Sequence, residues 1–220
     1  EDYTPPYGPW EQRLCLVPDG DMFKAIAAGK ADLKTGHIET VTESGIRLKS
    51  GETIDADVIV TATGLKLAVA GKVAFEVDGK PVHWPDHYYY KGCMFSDIPN
   101  LAIVFGYLNA SWTLKADIVS EFACRIINHM DATSTRIANP VLNTELEQEE
   151  LFDFSSGYIQ RSISELPRNS TAMPWKRNQD YLYDRNVLLN DPVDDGVIQF
   201  YGPNSQQAAG DSEPALEAAE

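Results

Sequence analysis

Residues 101 to 113 place a glycine, an amide and the hydroxyls of Tyr107, Ser111 and Thr113 at the junction of two apolar elements. Leu101-Ala-Ile-Val-Phe105 reads as a short apolar strand, Gly106 to Ala110 as a loop, and Ser111 as the N-cap of a helix. Leu114, Ile118, Phe122 and Ile126 recur at steps of four in that helix, and Val119 and Ile127 widen the stripe to a core-facing width, so it is expected to run to about Met130. A helix start presents N–H donors without intrahelical partners and a partial positive charge, which suits an anionic group. The same residues also describe an ordinary strand-loop-helix unit in which Ser111 does nothing but cap.

A second stretch ends in a comparable way. Val58 to Ala62 is a nearly unbroken β-branched and apolar run, expected to form a parallel strand covered on both faces, and it stops at Thr63-Gly64. In open α/β sheets ligands lie just beyond such strand ends, and Gly64 permits close backbone approach. The plainer reading is a tight exit from a core strand. His83-Trp-Pro-Asp-His87 has two imidazoles four residues apart, but Pro85 opposes a shared helical face and no third ligand is evident, so metal binding is not expected. Cys15, Cys93 and Cys124 are widely spaced and lack any CxxC pair, which argues against a disulfide framework or zinc site and fits buried thiols in a reducing compartment. No Ser-His-Asp logic emerges from spacing, and the carboxylates of Glu145 to Glu150 read as a solvated helix face.

The elements that would position these residues follow from turn chemistry. Residues 1 to 18 are rich in Pro, Tyr and Trp and are expected to be extended. A short helix follows, capped by Asp19 or Asp21 and ended by Gly29. Ala31 to Lys34, His37 to Thr42 and Gly45 to Lys49 read as a small antiparallel set, and Asp78-Gly79 as a type I′ hairpin turn. Beyond Asn139-Pro140 a charged helix is expected over Thr144 to Phe152, then a Trp-, Tyr- and Pro-rich region forming a C-terminal cap, then a disordered acidic tail from 202. The 220 residues carry 18 Lys plus Arg against 33 Asp plus Glu, a net charge of -15, which repels nucleic-acid backbones and anionic lipid. No run approaches the roughly 18 apolar residues of a membrane-spanning helix, so a soluble, cytoplasmic protein is expected.

Three segments together carry a family resemblance. The Asp57 to Gly64 segment, with its Ala-Thr-Gly, resembles the crossover between the NADPH- and FAD-binding domains of two-dinucleotide-domain flavoproteins. Asn100-Leu-Ala-Ile-Val-Phe-Gly-Tyr-Leu-Asn-Ala-Ser-Trp-Thr-Leu-Lys-Ala-Asp117 resembles the class B flavin-dependent monooxygenases, specifically the Baeyer-Villiger-like, ethionamide-activating group. Tyr7 to Phe23, Gly157 to Arg161 and Met173 to Lys176 are similar to other parts of the same enzymes. The resemblance implies an α/β fold, the second half of a two-dinucleotide-binding-domain (FAD/NAD(P)-binding, Rossmann-like) flavoprotein with a C-terminal helical cap. It implies FAD and NADPH as cofactors, and O2 with a ketone or sulfide as substrates. Carried over residue by residue, it puts Gly106, Asn109, Ala110, Ser111, Trp112 and Thr113 along the pyrimidine edge of FAD, Thr63 and Gly64 at the crossover near the cofactors, and Arg13 near NADPH. At position 12 a Gln stands where relatives often carry Lys.

The dinucleotide fingerprint GxGxxG occurs nowhere in the chain, nor does the family's FxGxxxH stretch, and the first residue is Glu1. The expectation is therefore a C-terminal part of such an enzyme. Residues 1–57 would end the NADPH domain, 58–130 would close the FAD domain, 131–201 would form the cap, and 202–220 the tail. Catalytic residues would lie upstream. A flavin-dependent disulfide reductase relative and a non-catalytic scaffold that lost its cofactor loops are the rival readings; two upstream GxGxxG loops would support an enzyme and none the scaffold.

Overall fold

Turn chemistry shapes the first part of the chain. The computed structural model describes residues 4, 7, 8, 12, 16–108, 110–151 and 156–202, and they belong to two units, Glu1–Leu67 with Phe152–Ile163 and Ala68–Leu151 with Ser164–Glu220. In the first unit, helix α1 (Asp21–Ala27) starts at Gly20, whose left-handed φ of 65° replaces the side-chain cap expected from Asp19 or Asp21. It ends as expected at Gly29, where φ is 68° and the Lys30 N–H reaches back to Ala25 O at 2.9 Å.

Strands β1 (Ile38–Val41), β2 (Gly45–Leu48) and β3 (Thr53–Asp55) form an antiparallel meander, with Val41 opposite Ile46 and Ile46 opposite Ile54. Gly45 is required there, because a Cβ would lie 2.0 Å from Ile54 O. The third strand is β3 and not Ala31 to Lys34 as expected. The turn at Ser50-Gly51 folds Thr53–Asp55 directly back onto β2, with Leu48 N–H donating to Glu52 O at 2.8 Å, whereas 31–34 is exposed and belongs to no strand.

The strand expected over Val58 to Ala62 is absent. Val58 is 77% and Val60 83% exposed, and among the described residues no strand lies beside them. β-propensity alone does not make a strand, since the extended backbone needs a neighbour to take its hydrogen bonds. Leu101 to Phe105 differs from expectation for the same reason: it is extended and partly buried but joins no ladder, with Ile103 N–H donating to Cys93 O at 2.8 Å.

In the second unit the Asp78-Gly79 turn does close a hairpin between β4 (Glu76–Val77) and β5 (Lys80–Pro81), with positive φ at both residues as type I′ demands. Helix α2 (Trp112–Thr133) supplies the core, burying Ile118, Val119, Phe122 and Ile126 against Tyr90, Met94, Trp175, Leu188 and Ile198. Full burial of one such side chain contributes about 1.5–3 kcal/mol. The helix continues three residues past Met130, and Ile127 is 56% exposed and so lies outside the expected stripe. Arg125 donates to the carbonyls of Leu188 and Asp191, fastening α2 to the C-terminal end of the Tyr181–Asn190 helix, where a cation also meets the negative pole of that helix dipole.

Thr144 to Phe152 is not a helix over its described part. Gln148–Glu149 pairs with Asn169–Ser170 as a two-residue ladder, Glu147 O accepts from Ser170 Oγ at 3.0 Å, and Glu149 pairs with Lys176 at 3.0 Å, so tertiary partners outcompete local helical bonds. All sheets among the described residues are small and antiparallel. Arg13, Asn109 and Cys15 fall outside the described residues, as does the tail beyond Gly202. No helix among the described residues is long and apolar enough to cross a membrane.

Candidate functional site

The start of α2 has the geometry that the sequence demands of it. Ser111, with an extended φ of -63° and ψ of 136°, accepts from the Thr113 N–H at 3.4 Å, and its Oγ lies 2.7 Å from Thr113 Oγ1. Ser111, Trp112 and Thr113 are exposed, and the first turn carries no acidic side chain to offset the helix dipole. The result is a solvent-facing cluster of hydroxyls and main-chain donors with positive polarity.

Gly106 is buried immediately before this cluster. A Cβ there would come within 2.2 Å of the Trp112 ring, so the absence of a side chain is what lets the indole lie on the loop backbone. Trp112 in turn meets Phe105 at a ring separation of 5.3 Å, and the Arg177 guanidinium lies 4.6 Å from the Phe105 ring centre. The structure thus brings Gly106, Ala110, Ser111, Trp112 and Thr113 together on one loop and helix end, with Asn109 between them in sequence.

Thr63 and Gly64 belong to the other unit and are exposed. Gly64 has φ 93°, a conformation that favours glycine, and the next residue's carbonyl accepts from Arg161 Nη2 at 3.3 Å. Leu67 N–H donates to Ser162 Oγ at 2.9 Å, so residues 64–67 are held by the segment around the helical turn Gly157–Gln160.

Several buried polar groups escaped the sequence reading. Lys115, one turn into α2, is only 1% exposed and donates to Asp184 Oδ2 at 2.7 Å, and the Tyr107 hydroxyl donates to the same oxygen at 2.8 Å. Burial, reinforced by that hydrogen bond, pushes the Tyr107 phenol well above its ordinary range. Nearby, Asp195 Oδ2 accepts from Tyr90 at 2.5 Å and pairs with Lys91 at 3.0 Å. Burial alone would raise the Asp195 carboxyl, but the bonds from Tyr90 and Lys91 outweigh it and hold it below the usual range. Both clusters border a cavity of about 290 Å³ whose walls include Lys91, Pro174, Tyr183, Asp184, Val187 and Asp195. The only sequence signal for them was negative: a Lys on the apolar face of α2 requires a buried carboxylate partner.

His83 and His87 are spent separately. His83 Nδ1 lies 3.1 Å from Asp86 Oδ2, and the half-buried His87 has Nδ1 2.7 Å from Ser96 O. No cluster of three potential metal ligands exists among the described residues.

The chain is 43% identical over 210 residues to a probable FAD-binding monooxygenase, AlmA, of Acinetobacter sp, covering 94% of this chain and 42% of that protein. It is 45% identical over 201 residues to the FAD-containing monooxygenase EthA of Mycobacterium tuberculosis (strain H37Rv), covering 90% of this chain and 41% of that protein. It is 42% identical over 210 residues to the putative FAD-containing monooxygenase MymA of the same strain, covering 94% of this chain and 42% of that protein. No family model matches the chain, and no solved structure matches it. The chain is a homologue of these FAD-containing monooxygenases and spans about two-fifths of the length of the relatives it matches.

Proposed function

We propose that this chain is the C-terminal part of an FAD- and NADPH-dependent monooxygenase that inserts one atom of O2 into ketones or oxidises sulfur or nitrogen centres. The observation that carries the reading is the identity of 42–45% to named FAD monooxygenases over nine-tenths of the chain. The donor chemistry at the start of α2 supports it. Two hydroxyls, first-turn N–H groups and no carboxylate suit the electron-rich pyrimidine edge of a flavin, whose negative charge grows on reduction. In this reading Gly106, Asn109, Ala110, Ser111, Trp112 and Thr113 line that edge, Thr63 and Gly64 mark the crossover between nucleotide domains, and Arg13 lies near NADPH. FAD, when bound, supplies the redox and oxygen-transfer chemistry. The chain's own residues orient its edge and, through Phe105 and Trp112, exclude water from one side of it. Residues 1–57 would complete the NADPH domain, 58–130 the FAD domain and 131–201 a cap over the substrate.

The test is coupled turnover by the full-length protein. With FAD and NADPH it should consume O2 in step with conversion of a ketone to an ester, or of a sulfide to a sulfoxide. Failure to oxygenate any of a broad panel of ketones and sulfides, combined with anaerobic reduction of a disulfide substrate, would overturn the proposal.

A further inference from the structure

Three consecutive residues of the candidate cofactor loop are each held by a different side chain from one short stretch near the C-terminus. Arg177 Nη2 donates to Gly106 O at 2.7 Å, the Tyr107 hydroxyl donates to Asp184 Oδ2 at 2.8 Å, and Leu108 N–H donates to Gln179 Oε1 at 2.8 Å. Loop backbone usually satisfies its polar groups with water or with other main chain. Here a carbonyl, a side chain and an N–H are bound in succession by residues about 70 positions away.

The holders are themselves held. Asn169 Oδ1 accepts from the Arg177 N–H at 2.6 Å, and Lys115 of α2 donates to Asp184 at 2.7 Å. Tyr107 and Lys115 therefore share one carboxylate oxygen, which ties the loop and the second turn of α2 to a single atom. Tyr107, Lys115, Arg177 and Asp184 are all at most 6% exposed, and charge-assisted bonds at such depth are short and strongly directional. None of Arg177, Gln179 or Asp184 lies on the loop or helix end that would face a ligand.

We infer that Arg177, Gln179 and Asp184 are positioning residues that set the Gly106–Leu108 backbone, and through it the donors at Ser111 and Thr113, against the flavin edge. This rests on the assignment of residues 106–113 to that edge. An oriented donor works only where its own geometry is fixed by a supporting set of bonds. By analogy with the hydrogen bonds that orient metal ligands, loss of one such support changes affinity by about 10–100-fold.

The experiment compares Tyr107→Phe, Gln179→Leu and Ser111→Ala in the full-length protein. Three measurements are made on each: FAD affinity by fluorescence titration, the absorption spectrum and midpoint potential of the bound flavin, and hydrogen exchange in the free protein. Tyr107→Phe and Gln179→Leu should each weaken FAD binding about tenfold and shift the flavin spectrum or potential. Exchange in the 106–108 loop should accelerate while protection of α2 is retained. A fall in melting temperature with FAD affinity, spectrum and potential unchanged would show a merely structural role and overturn the inference. Weakened FAD binding in Ser111→Ala alone would leave the flavin assignment standing and reject the positioning role, whereas unchanged FAD binding in all three variants would reject both. Tyr107→Phe keeps the Lys115–Asp184 pair, so it decides the question even if Gln179→Leu fails to fold.

Discussion

Cys93 and Cys124 are the same side chain in opposite surroundings: Cys93 is fully buried beneath α2, and Cys124 is exposed on the outer face of that helix. Burial pushes the Cys93 thiol up to about 11, since the thiolate would lose its hydration. A thiol in the unfolded chain titrates near about 8.5. With the folded value raised above the unfolded one, the contribution is fully present below about pH 8.5 and is lost as pH rises through the folded value. Between pH 8 and 10.5 the native chain should lose about 2 kcal/mol more stability than a Cys93→Ala variant, measured by urea unfolding. Cys93→Ala lowers stability at both pH values through its cavity, but it removes the difference in slope. Equal slopes would mean that Cys93 does not titrate differently in the two states.

Elements were legible where the signal was local, and illegible where it depended on a partner. The Ser111 cap, the Gly29 stop and the Asp78-Gly79 turn each act within a few residues, and all three stand where expected. Val58 to Ala62 and Leu101 to Phe105 have strand composition, yet neither has strand neighbours; Thr144 to Phe152 has helix composition, yet Ser170, Thr171 and Lys176 claim Glu147 and Glu149. The loop and helix start of the candidate site were readable from Gly106 and Ser111. Arg177, Gln179 and Asp184 were not, because side chains that meet a loop across about 70 residues leave no periodic trace. The bare run at 58–62 has a testable consequence, because Val60 is 83% exposed here and would be buried if the longer protein supplied flanking strands. Val60→Asp should change the stability of the 220-residue chain by no more than about 0.5 kcal/mol, and should abolish or severely impair folding of the full-length protein, where it would bury an unpaired charge. Equal effects of Val60→Asp in the two contexts would reject the flanking strands.

At the scale of the whole molecule, the chain spans about two-fifths of the length of the FAD monooxygenases it matches, which limits how much of a cofactor site it can hold. Tight flavin binding depends on a glycine-rich loop and helix start that receive the pyrophosphate, and GxGxxG is missing from all 220 residues. In the proposed placement the donors at Ser111 and Thr113 meet one edge of the flavin only, and the overall charge of -15 opposes capture of an anionic dinucleotide from solution. The chain expressed by itself should therefore purify colourless. Extending it to full length should restore a flavin spectrum at about one equivalent, with Ser111→Ala reducing the retained fraction. Absorbance between 350 and 500 nm on the purified 220-residue chain, calibrated against protein concentration and released cofactor, makes the measurement, with those wavelengths being roughly the range of oxidised flavins in general. Near-stoichiometric flavin on the chain alone would mean that residues within it grip the pyrophosphate by a route other than the glycine fingerprint, and the placement of the principal cofactor contacts upstream would have to be abandoned.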